Sequence, residues 1–158
     1  MAVTYSLNQA TPLAIKGQPS SGYTLSTLEA AINPSTSSTI VGGTALKIIG
    51  SAGNQPLVDK AAATDLIVGF LKFNPVYNGG DATVMAGDQV TMLVNGSTMV
   101  MEVGATAITA GNKLEIVATG DLVIPSLGTN KVIGTALASG VTGDLIPVRI
   151  QISAPAAV

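Results

Sequence analysis

A short turn followed by strict alternation recurs along this chain and constrains its fold more than any other feature. In AITAGNKLEI (107–116), Ala110-Gly111-Asn112 reads as a turn. Leu114 and Ile116 then point one way, and Lys113, Glu115 and Val117 the other. A turn followed by period-two alternation marks a half-buried β-strand. The cassette returns as MAGDQVTML (85–93) and, more loosely, as VGGTALKII (41–49). It predicts Leu114 and Ile116 on the core side, with Lys113 and Glu115 toward solvent. None of its residues is reactive, so it describes a scaffold.

From Ile40 onward the chain reads as strands and turns. LIVGFLKF (66–73) is a nearly continuous apolar run, as in a strand buried on both faces, and Gly69 within it marks a bulge or a close backbone approach. Val90, Met92 and Val94 alternate ahead of Asn95-Gly96, a strong hairpin signal, and Met99, Met101 and Val103 alternate on the return strand. Val148, Ile150 and Ile152 oppose Arg149 and Gln151 on a last strand. Some segments match one another: Leu46-Lys47-Ile48 with Leu114-Glu115-Ile116, Leu57-Val58 with Leu122-Val123, Thr64 with Thr129, and Val68-Gly69 with Ile133-Gly134. The later matches share one offset, displaced from the first by a length change in a turn. Two related β units are one reading of this. Chance agreement of short apolar motifs is the other.

The first forty residues differ in character. Val3, Tyr5 and Leu7 alternate in a strand or arm. Over 24–32, the Ser26 to Glu29 spacing of a capping box, with Leu25, Leu28 and Ile32 on one face, predicts a short helix ended by Asn33-Pro34. STSST (35–39) is a polar linker. The expected organisation is therefore an N-terminal arm with one short helix (1–39), an all-β domain (40–152) and a C-terminal tail (153–158). The β domain would be a compact β-sandwich or small β-barrel, and the arm (1–33) would be dispensable for its folding.

Composition narrows the function. Histidine and cysteine are both absent, which removes Ser-His-Asp and thiol catalysis, disulfides, and His or thiolate metal sites. Nine acidic residues remain: Glu29, Asp59, Asp65, Asp81, Asp88, Glu102, Glu115, Asp121 and Asp144. Asp81, Asp88, Asp121 and Asp144 each follow a glycine, a pattern of turns more than of calcium loops, which concentrate several carboxylates in a dozen residues. The Gly42-Gly43 and Gly87 turns lack phosphate-loop spacing and lead into strands. Met99 and Met101 share a face as core residues, not ligands. No catalytic, cofactor-binding or metal-ligating set emerges, and no enzyme is expected. There is no basic run to bind nucleic acid and no run of the ~20 apolar residues that a membrane helix needs. Charged residues make up 10% of the chain, where ~25% is usual, so partners are expected to cover part of its surface.

AITAGNKLEIVATGDLV (107–123) and KVIGTALASGVTGDLIPVRI (131–150) resemble the small capsid cement, or decoration, proteins of tailed bacteriophages. That family shows a Gly-Asp turn leading into a strand, an Ile-Gly-x-Ala-Leu strand, and a closing Gly-Asp turn before a last strand. The matching positions are Ala110-Gly111-Asn112, Ile133 to Leu137, and Gly143-Asp144 to Ile150. Asn112 stands where Asp is usual, and the first forty residues do not match. The resemblance implies a protein on the outer surface of the virion capsid that binds the major capsid protein and itself, as a homotrimer or a dimer. It would bridge shell subunits, with no cofactor. The runner-up is a receptor- or glycan-binding module of a phage tail or surface fibre, which requires exposed aromatics or carboxylates along one rim.

Overall fold

A computed structural model describes residues 16–20, 25–32, 40–73, 83, 84, 86–128 and 130–153. Among them every regular element is a strand, and ten of the twelve form two closed five-stranded barrels. The first barrel contains β1 (Thr27–Ile32), β3 (Ala45–Ala52), β4 (Gln55–Lys60), β5 (Gly69–Leu71) and β7 (Gln89–Leu93), in the order β1-β4-β3-β5-β7. The second contains β8 (Thr98–Val103), β9 (Lys113–Ile116), β10 (Leu122–Pro125), β11 (Gly134–Ala136) and β12 (Leu145–Ile150), in the order β10-β8-β12-β11-β9. The short strands β2 (Ile40–Val41) and β6 (Thr83–Val84) pair beside the first barrel. Five strands cannot alternate in direction all the way round a closed ring, so at least one neighbouring pair must be parallel. In each barrel one pair is: β1 with β4, and β10 with β8.

The two barrels share one strand order, one set of pairing directions and a matching register. The pairing Leu46–Gly69 in the first corresponds to Leu114–Gly134 in the second, Ile48–Val58 to Val123–Ile116, and Ile32–Val58 to Val123–Val103. Leu28–Met92 corresponds to Met99–Val148 in the same way. These are the matches read from the sequence, except for Thr64 with Thr129, because Thr129 lies outside the described residues. The change of offset is the β3–β4 connection: ten positions separate Ile48 from Val58 but seven separate Ile116 from Val123, and β3 carries a register shift between Ile48 and Gly50. The recurring cassette has its physical basis in four glycines. Gly43, Gly87, Gly111 and Gly143 all take positive φ, from 84° to 91°, two residues before a strand begins. That backbone conformation costs glycine least.

Close packing fixes a second glycine pair. A Cβ on Gly69 would lie 2.8 Å from the carbonyl oxygen of Leu93, and one on Gly134 would lie 2.3 Å from that of Arg149. Both are the close backbone approach expected at Gly69.

Three expectations are corrected. The segment expected as a helix is strand β1. Its Leu28, Ala30 and Ile32 also fit a period of two, and antiparallel pairing with β7 over five residues selects that pattern over a two-turn helix. Glu29 accepts a hydrogen bond from the Thr91 hydroxyl across the strands (2.8 Å) in place of capping a helix. β1 is thus a stave of the first barrel, so a chain lacking residues 1–33 would lose it. The Asn95-Gly96 turn forms, with Gly96 at φ 94°, but it makes no hairpin. β7 pairs within the first barrel and β8 within the second, so the turn is the passage between copies. The apolar run 66–73 supplies only the three-residue β5, and Leu66 is exposed. The alternating segment 1–15 and the linker 35–39 lie outside the described residues.

Ala30, Ile32, Ile40, Leu46, Val58, Leu71, Val90 and Met92 fill the first barrel. The second barrel's interior, including Met99, Met101, Leu114, Ile116 and Val148, is continuous with Ala45, Ala61, Ile67, Phe70 and Leu93 of the first. Methionines 99 and 101 are fully buried core residues, as the alternation implied. Ala45 donates its backbone N–H to the Gly120 carbonyl (2.7 Å), which ties the flank of the first barrel to the β9–β10 turn of the second. Burial of each large apolar side chain contributes ~1.5–3 kcal/mol, so this shared core joins the copies into one body.

Candidate interaction surfaces

Several charged and polar side chains are committed to local structure. The Asp144 carboxylate accepts the Val141 N–H (2.8 Å), and the Asn112 side-chain oxygen accepts the Thr109 N–H (2.9 Å), each closing its own turn. Asp65 pairs with Lys47 (2.8 Å) and accepts the Ala62 N–H (2.8 Å). The Lys47 hydrogen bond, then the Ala62 bond, holds its carboxyl below the usual value. Lys16 lies 3.7 Å from Glu102 and 3.5 Å from Asp121. Burial pushes the Asp121 carboxyl upward, but the Thr119 hydroxyl and the charges of Lys16 and Lys60 outweigh it. Among the described residues no three His, Cys, Asp or Glu side chains are grouped as metal ligands.

Glu115 departs from the sequence expectation. Alternation predicts it on the solvent side with Lys113, yet it is 0% exposed, whereas Lys113 is exposed as expected. The segment after β10 folds over it. Its Oε1 accepts hydrogen bonds from the Ser126 hydroxyl (2.6 Å), the Leu127 N–H (3.1 Å) and the Gly128 N–H (3.0 Å). Oε2 is buried with no hydrogen bond among the described residues. Burial raises the carboxyl's pKa, but the bonds from Ser126 and Gly128, with the amide groups of Asn130, hold it below its ordinary value. Alternation alone could not reveal this, because the loop that buries Glu115 lies eleven to thirteen residues further on.

The duplicated positions show where the surfaces differ. On the flank of the first barrel, Ala45 pairs with Phe70 and Phe70 with Leu93, an apolar row that packs into the shared core. The same register positions in the second barrel hold Lys113, Thr135 and Arg149. There the Lys113 ammonium donates to the Thr135 hydroxyl (2.9 Å), and Lys113 and Arg149 are exposed.

The barrel ends diverge in the opposite sense. Strand directions place the starts of β1, β4 and β5 and the finishes of β3 and β7 at one end of the first barrel. Leu25, Leu28, Ile48, Ile49 and Leu66 surround that end and are all exposed. At the corresponding end of the second barrel the equivalents of Leu28 and Ile48 are Met99 and Ile116. Exposure falls from 40% and 48% at the first pair to 0% and 1% at the second, because the second barrel's end lies within the shared core. The other exposed large apolar side chains among the described residues are Leu127, Leu137, Val141 and Leu145, at the far end of the second barrel.

No protein-family model matches this chain, and no curated protein does. Among solved structures it is similar to the head fiber gp8.5 N base of bacteriophage phi29. The TM-score is 0.51 and the identity 15%, over 81% of this chain and 95% of that one. At this identity the likeness is one of fold.

Proposed function

We propose that this chain is a structural protein of a bacteriophage virion. It attaches to the outside of the capsid, binds major capsid protein subunits and stabilises the shell by bridging them. The observation that carries this reading is the shared fold with a phage head fiber base over four-fifths of the chain. Three further features support it: a low content of charge, polar side chains engaged in turns and ion pairs, and a double barrel with exposed apolar ends. Copies assemble as a homotrimer or dimer. Each contact can be weak, because many copies on a symmetric lattice add their effects.

The receptor- or glycan-binding alternative requires exposed aromatics or carboxylates grouped along one rim. Phe70 is fully buried and Phe73 partly so, while Tyr5, Tyr23 and Tyr77 lie outside the described residues. No observation favours that alternative. The test is assembly of phage heads without this chain, followed by add-back of the purified protein. The expected result is loss of an external density and of heat resistance, both restored on add-back. Heads unchanged in density and heat resistance would overturn the reading.

A further inference from the structure

The duplication shows what the open end of the first barrel is built to receive. In the second barrel, the equivalent end is closed by a neighbour: the flank of the first barrel with its row Ala45–Phe70–Leu93. The first barrel retains the apolar end, with Leu28 and Ile48 at the register positions of Met99 and Ile116, but leaves it 40–48% exposed at these residues. Leu25, Ile49 and Leu66 widen the apolar rim around it. Contiguous apolar surface of this kind marks an interaction site.

The described elements supply no cover. A second copy of this chain is the wrong occupant for a head-to-tail contact. Its apolar flank is already buried against its own second barrel, and its remaining flank carries Lys113 and Arg149. Seating those cations on Leu28 and Ile48 would strip them of water against an apolar surface.

We infer that the open end of the first barrel is the surface by which this chain docks on the shell, and that its occupant is an uncharged β-sheet flank of the shell protein presenting an apolar row. This deepens the proposed function and rests on it. The complementary chemistry is that of Ala45, Phe70 and Leu93: a small, a large and a medium apolar side chain on adjacent strands. The exposed apolar residues at the far end of the second barrel have no counterpart interface among the described residues and take no part in this contact.

The test measures binding of the purified full-length protein to phage heads that lack it. Ile48→Glu and, separately, Leu66→Glu place a charge at the open end, and Val141→Glu places one at the far end of the second barrel. Circular dichroism and thermal unfolding confirm that each variant is folded. Leu66, 62% exposed, is the substitution least able to disturb the core. The expected result is a loss of affinity of at least tenfold for Ile48→Glu and Leu66→Glu, with Val141→Glu binding like the parent. Parent-like binding by both folded open-end variants would overturn the docking surface while leaving attachment to the head intact. Absence of binding by the parent would instead sink the functional reading and the docking surface with it. Loss of self-association by the open-end variants, with head binding unchanged, would show that the end belongs to a contact between copies and would also overturn the proposal.

Discussion

The two barrels share strand order, pairing directions and register, yet they solve opposite problems. The first has an apolar flank and an open end, and the second a polar flank and a closed end. The difference at the flank lies in three positions: Ala45, Phe70 and Leu93 against Lys113, Thr135 and Arg149. A duplicated unit whose flank fits its own end would propagate indefinitely, because a head-to-tail contact that does not close on itself builds a filament. Charge on the second flank stops the series at two, and the unused end at the start of the series is left for something else. A fold can thus be copied whole while its interfaces are reassigned by a few side chains.

The comparison can be broken most forcefully at the shared core. Phe70→Ala should cost about 3–5 kcal/mol in urea unfolding, the usual range for a large buried aromatic, whereas Thr135→Ala at the equivalent half-buried position should change stability by about 1 kcal/mol or less. Similar losses at both positions would contradict the claim that only the first flank is an interface. The glycine pair sharpens the comparison further. An alanine at Gly134 places its Cβ 2.3 Å from a backbone oxygen, and at Gly69 2.8 Å from one. Each should destabilise by about 1–3 kcal/mol, with Gly134→Ala the larger, because a carbonyl in a strand ladder cannot swing aside. Thermal denaturation of the two single variants ranks them directly.

A smaller difference concerns Glu115 and its equivalent Lys47. Each secures the segment between the third and fourth strands of its barrel, one by accepting backbone and hydroxyl groups, the other by pairing with Asp65. Glu115→Ala leaves the Ser126, Leu127 and Gly128 donors without their acceptor and should cost about 1–3 kcal/mol, while Lys47→Ala removes a partly exposed pair worth ~0–1 kcal/mol. The pH dependence follows from the direction of the shifts. Both Glu115 and Asp65 have carboxyls held below the ordinary values of 4.5 and 3.8. Their contribution is therefore complete above those values and is lost as pH falls below them through the lowered native values. Stability measured from pH 6 down to pH 2 should fall in that acid range, and less steeply in Glu115→Ala than in the parent.

Much of this architecture was legible in the sequence. Turn glycines and alternation located most strands, and the matched segments coincide with the structural equivalences, including the displaced offset. What escaped was non-local. Leu25, Leu28 and Ile32 satisfy a helical spacing, and only pairing with β7, some sixty residues away, makes 27–32 a strand. Asn95-Gly96 gives a correct turn but no information on which barrel each flanking strand joins. Glu115 reads as an outward residue because alternation describes faces of a sheet and not the loops that cover them. The open end was invisible for the same reason: Ile48 and Ile116 stand in matching segments, and alternation does not report what lies against each.

The most direct measurement transfers the first flank onto the second. The triple variant Lys113→Ala, Thr135→Phe, Arg149→Leu recreates, on the second barrel, the surface that an open barrel end accepts. In sedimentation velocity it should form concentration-dependent species larger than the parent's, and adding Ile48→Glu should return it to the parent's size. A triple variant that sediments like the parent at all concentrations, or whose association persists with Ile48→Glu, would contradict the equivalence of the two barrels on which this account rests.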